Sequence, residues 1–283
     1  MRGYDLHTHS TCSDGTMDPA DVARLAVERG VTGIALTDHD TTAGLDRARE
    51  ASRGDLVVLA GCELSAEHAG QPVHVLGIGF DPGEPVFASA RREILSARVR
   101  RAERTVERLR ELGADVPIER VWELAGEGAV GRPHIAEAMI EAGVVNTIDQ
   151  AFSMDWIGTG GRAYVEKEAV TPVRAVELIR GAGGAAVLAH PAVHAGALEV
   201  RESLVREMAA AGLAAIEIDH PEQPPAARAH WRAVADELGL ATTGGSDDHG
   251  RRSGYRLGCC LTAEATVAAL LAASPSGGQP TQP

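Results

Sequence analysis

The sequence predicts an α/β protein whose strands form a parallel sheet with one polar rim, and three observations lead there. First, strand-like apolar runs near residues 4–7, 33–37, 56–61, 73–80, 185–190, 214–219 and 239–244 are mostly separated by amphipathic stretches near 18–29, 41–52, 171–182, 199–211, 226–238 and 263–273. That alternation is the pattern of βα units. Second, most of the runs end in histidine, aspartate or glutamate, a poor way to finish a core strand because each buried polar group must be satisfied. Third, the chain has 283 residues, 44% of them hydrophobic and 24% charged, enough to bury a sizeable core. Barrel enzymes assemble their sites at the C-terminal ends of the strands, so ligands scattered in sequence would converge in space.

Taken in order, the elements sharpen this picture. Tyr4-Asp5-Leu6-His7-Thr8-His9 places two imidazoles on one face of a strand, within reach of one ion. The turn-prone Cys12-Ser13-Asp14-Gly15 could fold a carboxylate back to the same place. Asp18-Pro19 signals a capped helix start, as Thr171-Pro172 does later. Gly33–Leu36 leads into Thr37-Asp38-His39-Asp40, Leu56–Ala60 into Gly61-Cys62-Glu63, and Val73–Gly79 carries an embedded His74. Ala185–Ala189 leads into His190-Pro191, and Thr242-Thr243-Gly244-Gly245-Ser246 into Asp247-Asp248-His249. Asp38, Asp40 and Asp248 flank the candidate ligands and are expected to orient imidazoles.

The rhythm breaks between about 84 and 162, which reads as a helical insertion. Its long first helix carries Leu95, Val99, Ala102, Val106 and Leu109 as one buried stripe, with Arg98, Arg101, Arg104 and Arg108 expected on solvated faces laced with Glu103 and Glu107. The expected organisation is an α/β domain in two parts, 1–83 and 163–273, around the 84–162 insertion, with a disordered tail at 274–283.

Composition narrows the function classes. A net charge of −13 argues against a surface built to coat nucleic acid, so no stable DNA complex is expected. Cys12, Cys62, Cys259 and Cys260 form no CxxC pair, which indicates neither a disulfide framework nor a zinc ribbon. A cytoplasmic setting is expected, with no signal peptide and no membrane span. No GxSxG elbow or P-loop is present.

His7-x-His9, Asp14, Thr37-Asp38-His39-Asp40, Glu63, His74, Ala189-His190-Pro191 and Ser246-Asp247-x-His249 together resemble the motifs of the PHP domain family, the polymerase and histidinol phosphatase family. The resemblance runs from residue 4 to about residue 270. It implies a distorted barrel of seven strands and helices holding two to three divalent ions. It also implies the ligand sets: His7, His9, Glu63 and Asp247 for one ion, Glu63, His74 and His190 for a second, and Asp14, His39 and His249 for a third. Six histidines and three carboxylates without a thiolate lean toward manganese, with iron or zinc as alternatives. Paired ions of that kind support phosphoester hydrolysis by a bridging hydroxide, with no protein nucleophile.

Further roles follow from residue context. An acid is needed for the leaving alkoxide, and His194, four residues after His190, is the candidate. Gly131-Arg132-Pro133-His134 starts a helix at Pro133 with a guanidinium beside it, so Arg132 and His134 could receive a phosphate. Lys167 could add a positive charge where the chain re-enters the barrel, and His220 ends another strand and could line the pocket. The insertion, with Gly131–His134 and Tyr164-Val165-x-Lys167, resembles the subgroup of 3',5'-nucleoside bisphosphate phosphatases and the 5'-to-3' exoribonuclease RNase AM. The expected substrate is a small nucleotide or a short 5'-phosphorylated RNA end. The alternatives are another small phosphomonoester, such as histidinol phosphate, or a non-catalytic metal-binding module.

Overall fold

A computed structural model describes residues 3–126, 128–166, 168–193 and 198–273. His194, Lys167 and the 274–283 tail lie outside the described residues. The seven strands follow sequence order in one barrel-like sheet: β1 (Tyr4–Thr8), β2 (Gly33–Leu36), β3 (Val57–His68), β4 (Gln71–Ile78), β5 (Ala185–Leu188), β6 (Ala215–Asp219) and β7 (Ala241–Gly244). All seven expected strands are present. The sheet is not wholly parallel, however, because β4 runs antiparallel to both β3 and β5. Ala69 and Gly70 make the reversal, both at positive φ, as a two-residue hairpin turn of the mirror-image kind requires.

The barrel closes through the chain just beyond β7. Asp247 N donates to His7 O and His9 N donates to Asp248 O, so the rim of β1 is paired on both sides. At the base, Tyr4 pairs with Thr262.

Six barrel helices, α1 (Pro19–Glu28), α2 (Leu45–Ser52), α7 (Pro172–Gly181), α8 (Leu198–Ala211), α9 (Pro225–Leu238) and α10 (Glu264–Ala272), accompany the strands. The expected caps are made: Asp18 accepts from Ala20 N and Thr171 from Arg174 N. Between β4 and α7 lie α3 (Pro85–Glu111), α4 (Ile118–Ala125), α5 (Arg132–Glu141) and the short α6 (Ile148–Ala151). Their apolar cluster runs from Ala102 to Ala163 and is separate from the barrel's clusters. Phe87 and Ile94 in the first half of α3 pack into the barrel cluster, while Ala102, Val106 and Leu109 pack into the insertion. The buried face of α3 therefore turns along its length. Val99, expected in the stripe, is exposed, and Arg98 and Arg101 are half-buried.

Alternation within the strands positions the site. One set of side chains, including Ile34, Leu36, Val58, Ala60, Ile216 and Ile218, meets the surrounding helices. The other set includes Ala35, Leu59, Leu76, Ile78, Val187 and Ala215, and joins Val267 and Leu270 of α10 in a second apolar cluster. Stepping two residues along this inner set leads from Leu59 to Gly61 and Glu63, from Ala35 to Thr37 and His39, and from Ala215 to Glu217. On β4 the step runs backwards, from Ile78 through Leu76 to His74, because that strand is reversed. An apolar plug at one end of the barrel thus gives way to a polar cluster at the other.

Candidate metal centre

Glu63 stands at the middle of the cluster. Its Oε2 lies 3.3 Å from His7 Nε2, 3.2 Å from His9 Nε2 and 3.1 Å from His39 Nδ1. Its Oε1 lies 2.8 Å from His74 Nδ1 and 3.2 Å from His190 Nε2. Asp247 Oδ1 is 3.3 Å from both His7 Nε2 and His9 Nε2. Asp14 is 3.2 Å from His249 Nε2 and 3.8 Å from His39 Nε2. All nine residues expected as ligands are therefore brought together.

The donor set fits divalent cations. His7 Nε2, His9 Nε2, His39 Nδ1 and Asp14 Oδ1 are buried yet make no well-aligned hydrogen bond among the described residues. Buried polar atoms are seldom left so, unless an ion satisfies them. Three groups have ligand atoms within 4.8 Å of one another: His7, His9 and Glu63; His39, Glu63 and His74; and His9, Asp14, His39 and His249. Electrostatics agrees. Burial pushes the Glu63 carboxyl up, but the imidazoles of His39, His74 and His7 outweigh it and hold the group well below the usual carboxylate range. Asp247 and Asp14 are held low in the same way, against burial, with His7 and His249 as the leading opponents. Burial lowers His9, yet the adjoining Asp247 and Glu63 carboxylates carry it to about 10. For His39, burial wins and takes the ring to about 3. A cation in such a cage would take the ring nitrogens as neutral ligands and balance the carboxylates at once.

Backbone strain marks the same rim. Asp40, His190 and Asp247 have φ values of 59°, 22° and 49°, left-handed conformations that non-glycine residues adopt at a cost. Gly245 is needed for close approach, since a Cβ there would lie 2.4 Å from the His7 side chain and 2.6 Å from Glu217 Oε1.

The PHP domain profile matches residues 5–112. Over 249 residues the chain is 33% identical to the 5'-3' exoribonuclease Rnm of Escherichia coli, covering 87% of this chain and 85% of that protein. The chain belongs to the PHP domain family. Other PHP relatives carry different activities at similar distance. The 3',5'-nucleoside bisphosphate phosphatase of Chromobacterium violaceum is 32% identical over 268 residues, 90% of each chain. The phosphoribosyl 1,2-cyclic phosphate 1,2-diphosphodiesterase of Eggerthella lenta is 35% identical over 251 residues, 87% of this chain and 94% of that protein. Among solved PHP-like structures, a candidate metal-dependent phosphoesterase from Bifidobacterium adolescentis superimposes with a TM-score of 0.87 at 34% identity, covering 95% of this chain and 96% of that one. This PHP protein is accordingly a metal-dependent phosphoesterase of the hydrolase class.

A cavity of about 280 Å³ opens over the cluster. Asp14, His39, Glu63, His74, His190, Asp247 and His249 line it, together with Arg101, Arg132, Phe152 and Tyr164. Of the candidates for substrate contact, Arg132 lines the cavity, whereas His134 and His220 are not among its lining residues. Arg132 is the first residue of α5, one earlier than expected, and Pro133 the second. His134 is buried and uses its Nδ1 to accept from Gly131 N, 3.1 Å away, which caps the helix. Burial lowers its ring to about 4. His220, fully buried, places Nε2 3.3 Å from Asp247 Oδ2 while its Nδ1 accepts from Glu222 N.

The flanking aspartates bond to the chain around the site, and Asp38 reaches the His9 ring through Ser13 Oγ. Asp38 fastens the Ser10–Ser13 turn, accepting from Ser10 N, Ser10 Oγ and Ser13 Oγ. Asp40 accepts from Ser65 N and from Arg98 Nε at 2.6 Å. Asp248 accepts from Ser253 Oγ and Arg256 N. The carboxylate that steadies an imidazole is Glu217, which the sequence reading did not single out. Its oxygens lie 3.1 and 3.3 Å from His7 Nδ1, and it accepts from His190 N at 2.9 Å. A glutamate between Ile216 and Ile218 in a buried strand is the signal that could have found it. Glu217→Gln should lower metal affinity roughly 10–100-fold with little change in fold, because one oxygen and one carboxylate charge behind His7 are lost. Competition with a fluorescent chelator checks this, and an unchanged dissociation constant would refute the steadying role.

Proposed function

We propose that this chain hydrolyses the phosphate ester of a small nucleotide carrying a second phosphate, or of a short 5'-phosphorylated RNA end. The observation that carries the reading is a cavity lined both by the carboxylate and imidazole cluster and by Arg132. We assign His7, His9, Glu63 and Asp247 to one ion, Glu63, His74 and His190 to a second, and Asp14, His39 and His249 to a third. Manganese is the foremost occupant, with iron or zinc next. Ions held there would supply Lewis acidity toward a phosphoryl group and toward water at neutral pH.

The chain's own residues do the rest. Glu217 behind His7, with His220 and Arg256 beside Asp247, keeps ligand atoms in place before substrate arrives. Arg132, stacked over Phe152 at 5.2 Å, receives the phosphate that is not cleaved and so orients the one that is. The rings of Phe152 and Tyr164 add apolar surface to the cavity wall. We read residues 84–162 as an insertion subdomain set into the barrel, since it has an apolar cluster of its own and contributes Arg132 to the cavity wall.

The test is a panel of substrates with manganese present: adenosine 3',5'-bisphosphate, a short 5'-phosphorylated RNA, a ribosyl 1,2-cyclic phosphate and histidinol phosphate. Turnover of either of the first two at least tenfold above the others supports the reading. Preference for either of the last two replaces it, and no turnover at all favours a non-catalytic module. Among the described residues no helix is long and apolar enough to cross a membrane.

A further inference from the structure

Cys259 and Cys260 are adjacent in sequence, and no role in the metal centre draws on them. Both are free, with Sγ atoms 3.9 Å apart, Cys259 exposed to solvent and Cys260 half-buried. Cys12 and Cys62, by contrast, are buried. The pair lies in a short segment that is fastened on both sides. Ahead of it, Cys259 N donates to Arg256 O at 2.9 Å with Gly258 at a φ of 79°, which is a turn of the type II kind. Leu257 in that turn is buried in the barrel's apolar cluster, and Gly258 N donates to the buried Asp5 carboxylate at 2.7 Å. Behind the pair, Thr262 exchanges both backbone hydrogen bonds with Tyr4 of β1. Arg256 leads directly to the metal centre. Its N donates to Asp248 Oδ1 at 2.7 Å and its Nη2 to Asp247 O at 3.0 Å, with Asp247 Oδ2 3.5 Å away. A change of backbone at Cys259 therefore acts on the residue that holds Asp247.

We propose that Cys259 and Cys260 are a reversible dithiol–disulfide site, and that closing the bond loosens the Arg256 contact with Asp247 and weakens metal binding. The exposed Cys259 Sγ is the one an oxidant reaches, and Cys260 Sγ is close enough to resolve the adduct. With a small disulfide such as oxidised glutathione, the Cys259 thiolate attacks one sulfur and releases one molecule of thiol. Cys260 then attacks Cys259 Sγ, forms the intramolecular S–S bond and releases the second. The two cysteines together lose two protons and two electrons, and the small disulfide gains both. Neighbouring Cα atoms stand about 3.8 Å apart, closer than the roughly 4.4 Å at which ordinary disulfides begin, so the closed ring stores strain. A strained, exposed disulfide is of the labile kind that thiols reopen. Here that strain has few outlets. With Leu257 packed and Thr262 paired, the adjustment falls on the bond from Cys259 N to Arg256 O, and so on the Arg256 side chain. Burial pushes both thiols up, Cys260 to about 12, so little thiolate is present at neutral pH and closure needs an excess of oxidant.

The test uses the full chain, incubated overnight with excess oxidised glutathione and then freed of small molecules. Mapping without reduction should show the peptide that spans Cys259 and Cys260 lighter by two hydrogens, with no glutathione attached. Manganese affinity, read by competition with a fluorescent chelator, should fall about tenfold in that material and return to its starting value after dithiothreitol. Cys259→Ser, which lacks the exposed thiol of the pair, should keep its affinity within about twofold through the same treatment. Should that variant fail to fold, Cys260→Ser serves the same comparison. A glutathione adduct that persists on wild-type Cys259, or a closed bond with undiminished affinity, overturns the proposal. An equal fall in the serine variant also overturns it, because the sensitive thiol would then be Cys12 or Cys62.

Discussion

Glu63→Gln should abolish turnover, lowering kcat by on the order of a thousandfold or more, and should leave purified protein with less than its full complement of metal. The amide is nearly the size of the carboxylate, so the packing around it hardly changes. What changes is charge and polarity at the one group that five imidazoles face, His7, His9 and His39 through one oxygen and His74 and His190 through the other. A neutral amide can offer one oxygen but not two, and its NH₂ would confront ring nitrogens that a cation should occupy. Phosphate release and elemental analysis, on the same preparation, read the two effects. A variant that keeps all its metal and works within tenfold of the wild type would end the claim that Glu63 joins two ion sites. Stripping the wild type with a chelator should reproduce the loss, and manganese should restore it.

Arg98→Met should destabilise the fold by about 3–5 kcal/mol, because it leaves the buried Asp40 carboxylate without this cation. Asp40 is fully buried and Arg98 Nε sits 2.6 Å from it, while the other nitrogens of Arg98 donate to Ser65 Oγ and Val130 O. One guanidinium therefore joins the loop after β2, strand β3, helix α3 and the approach to α5. Urea unfolding of the single variant and of Arg98→Met with Asp40→Asn separates the causes. Asparagine tolerates the positive φ at position 40, so the double variant should regain part of the loss if the stranded charge is the main cost. A single-variant change below about 1 kcal/mol would show that the pair contributes no more than a surface contact.

The strands and the inner cluster were readable in the sequence because both follow local rules. A two-residue period fixes which side chains share a face, and a polar residue ending an apolar run has few structural explanations. What escaped was set by tertiary context. His74 looked embedded within its run, with no sign that its strand is reversed, and the Ala69-Gly70 turn that reverses it is too short to stand out. Arg98 and Arg101 carry the composition of a solvated helix, and only the change of packing partner midway along α3 turns them inward. His134 and Arg132 were equivalent as phosphate ligands on paper. The helix cap separates them, since a capping imidazole has its Nδ1 engaged and its ring buried. Glu217 was hidden by its neighbours, two isoleucines that describe an ordinary core strand.

The hydrogen bonds that join Asp247 and Asp248 to His7 and His9 also carry a schedule for biosynthesis. The His7 and His9 imidazoles leave the ribosome some 240 residues ahead of the partners that complete their surroundings. Until then a nascent chain can shelter β1 only along its β2 side, and its cage has a gap where Asp247 and His249 belong. Ion capture should therefore come late in synthesis, and chains stalled on the ribosome before residue 247 should hold metal loosely or not at all.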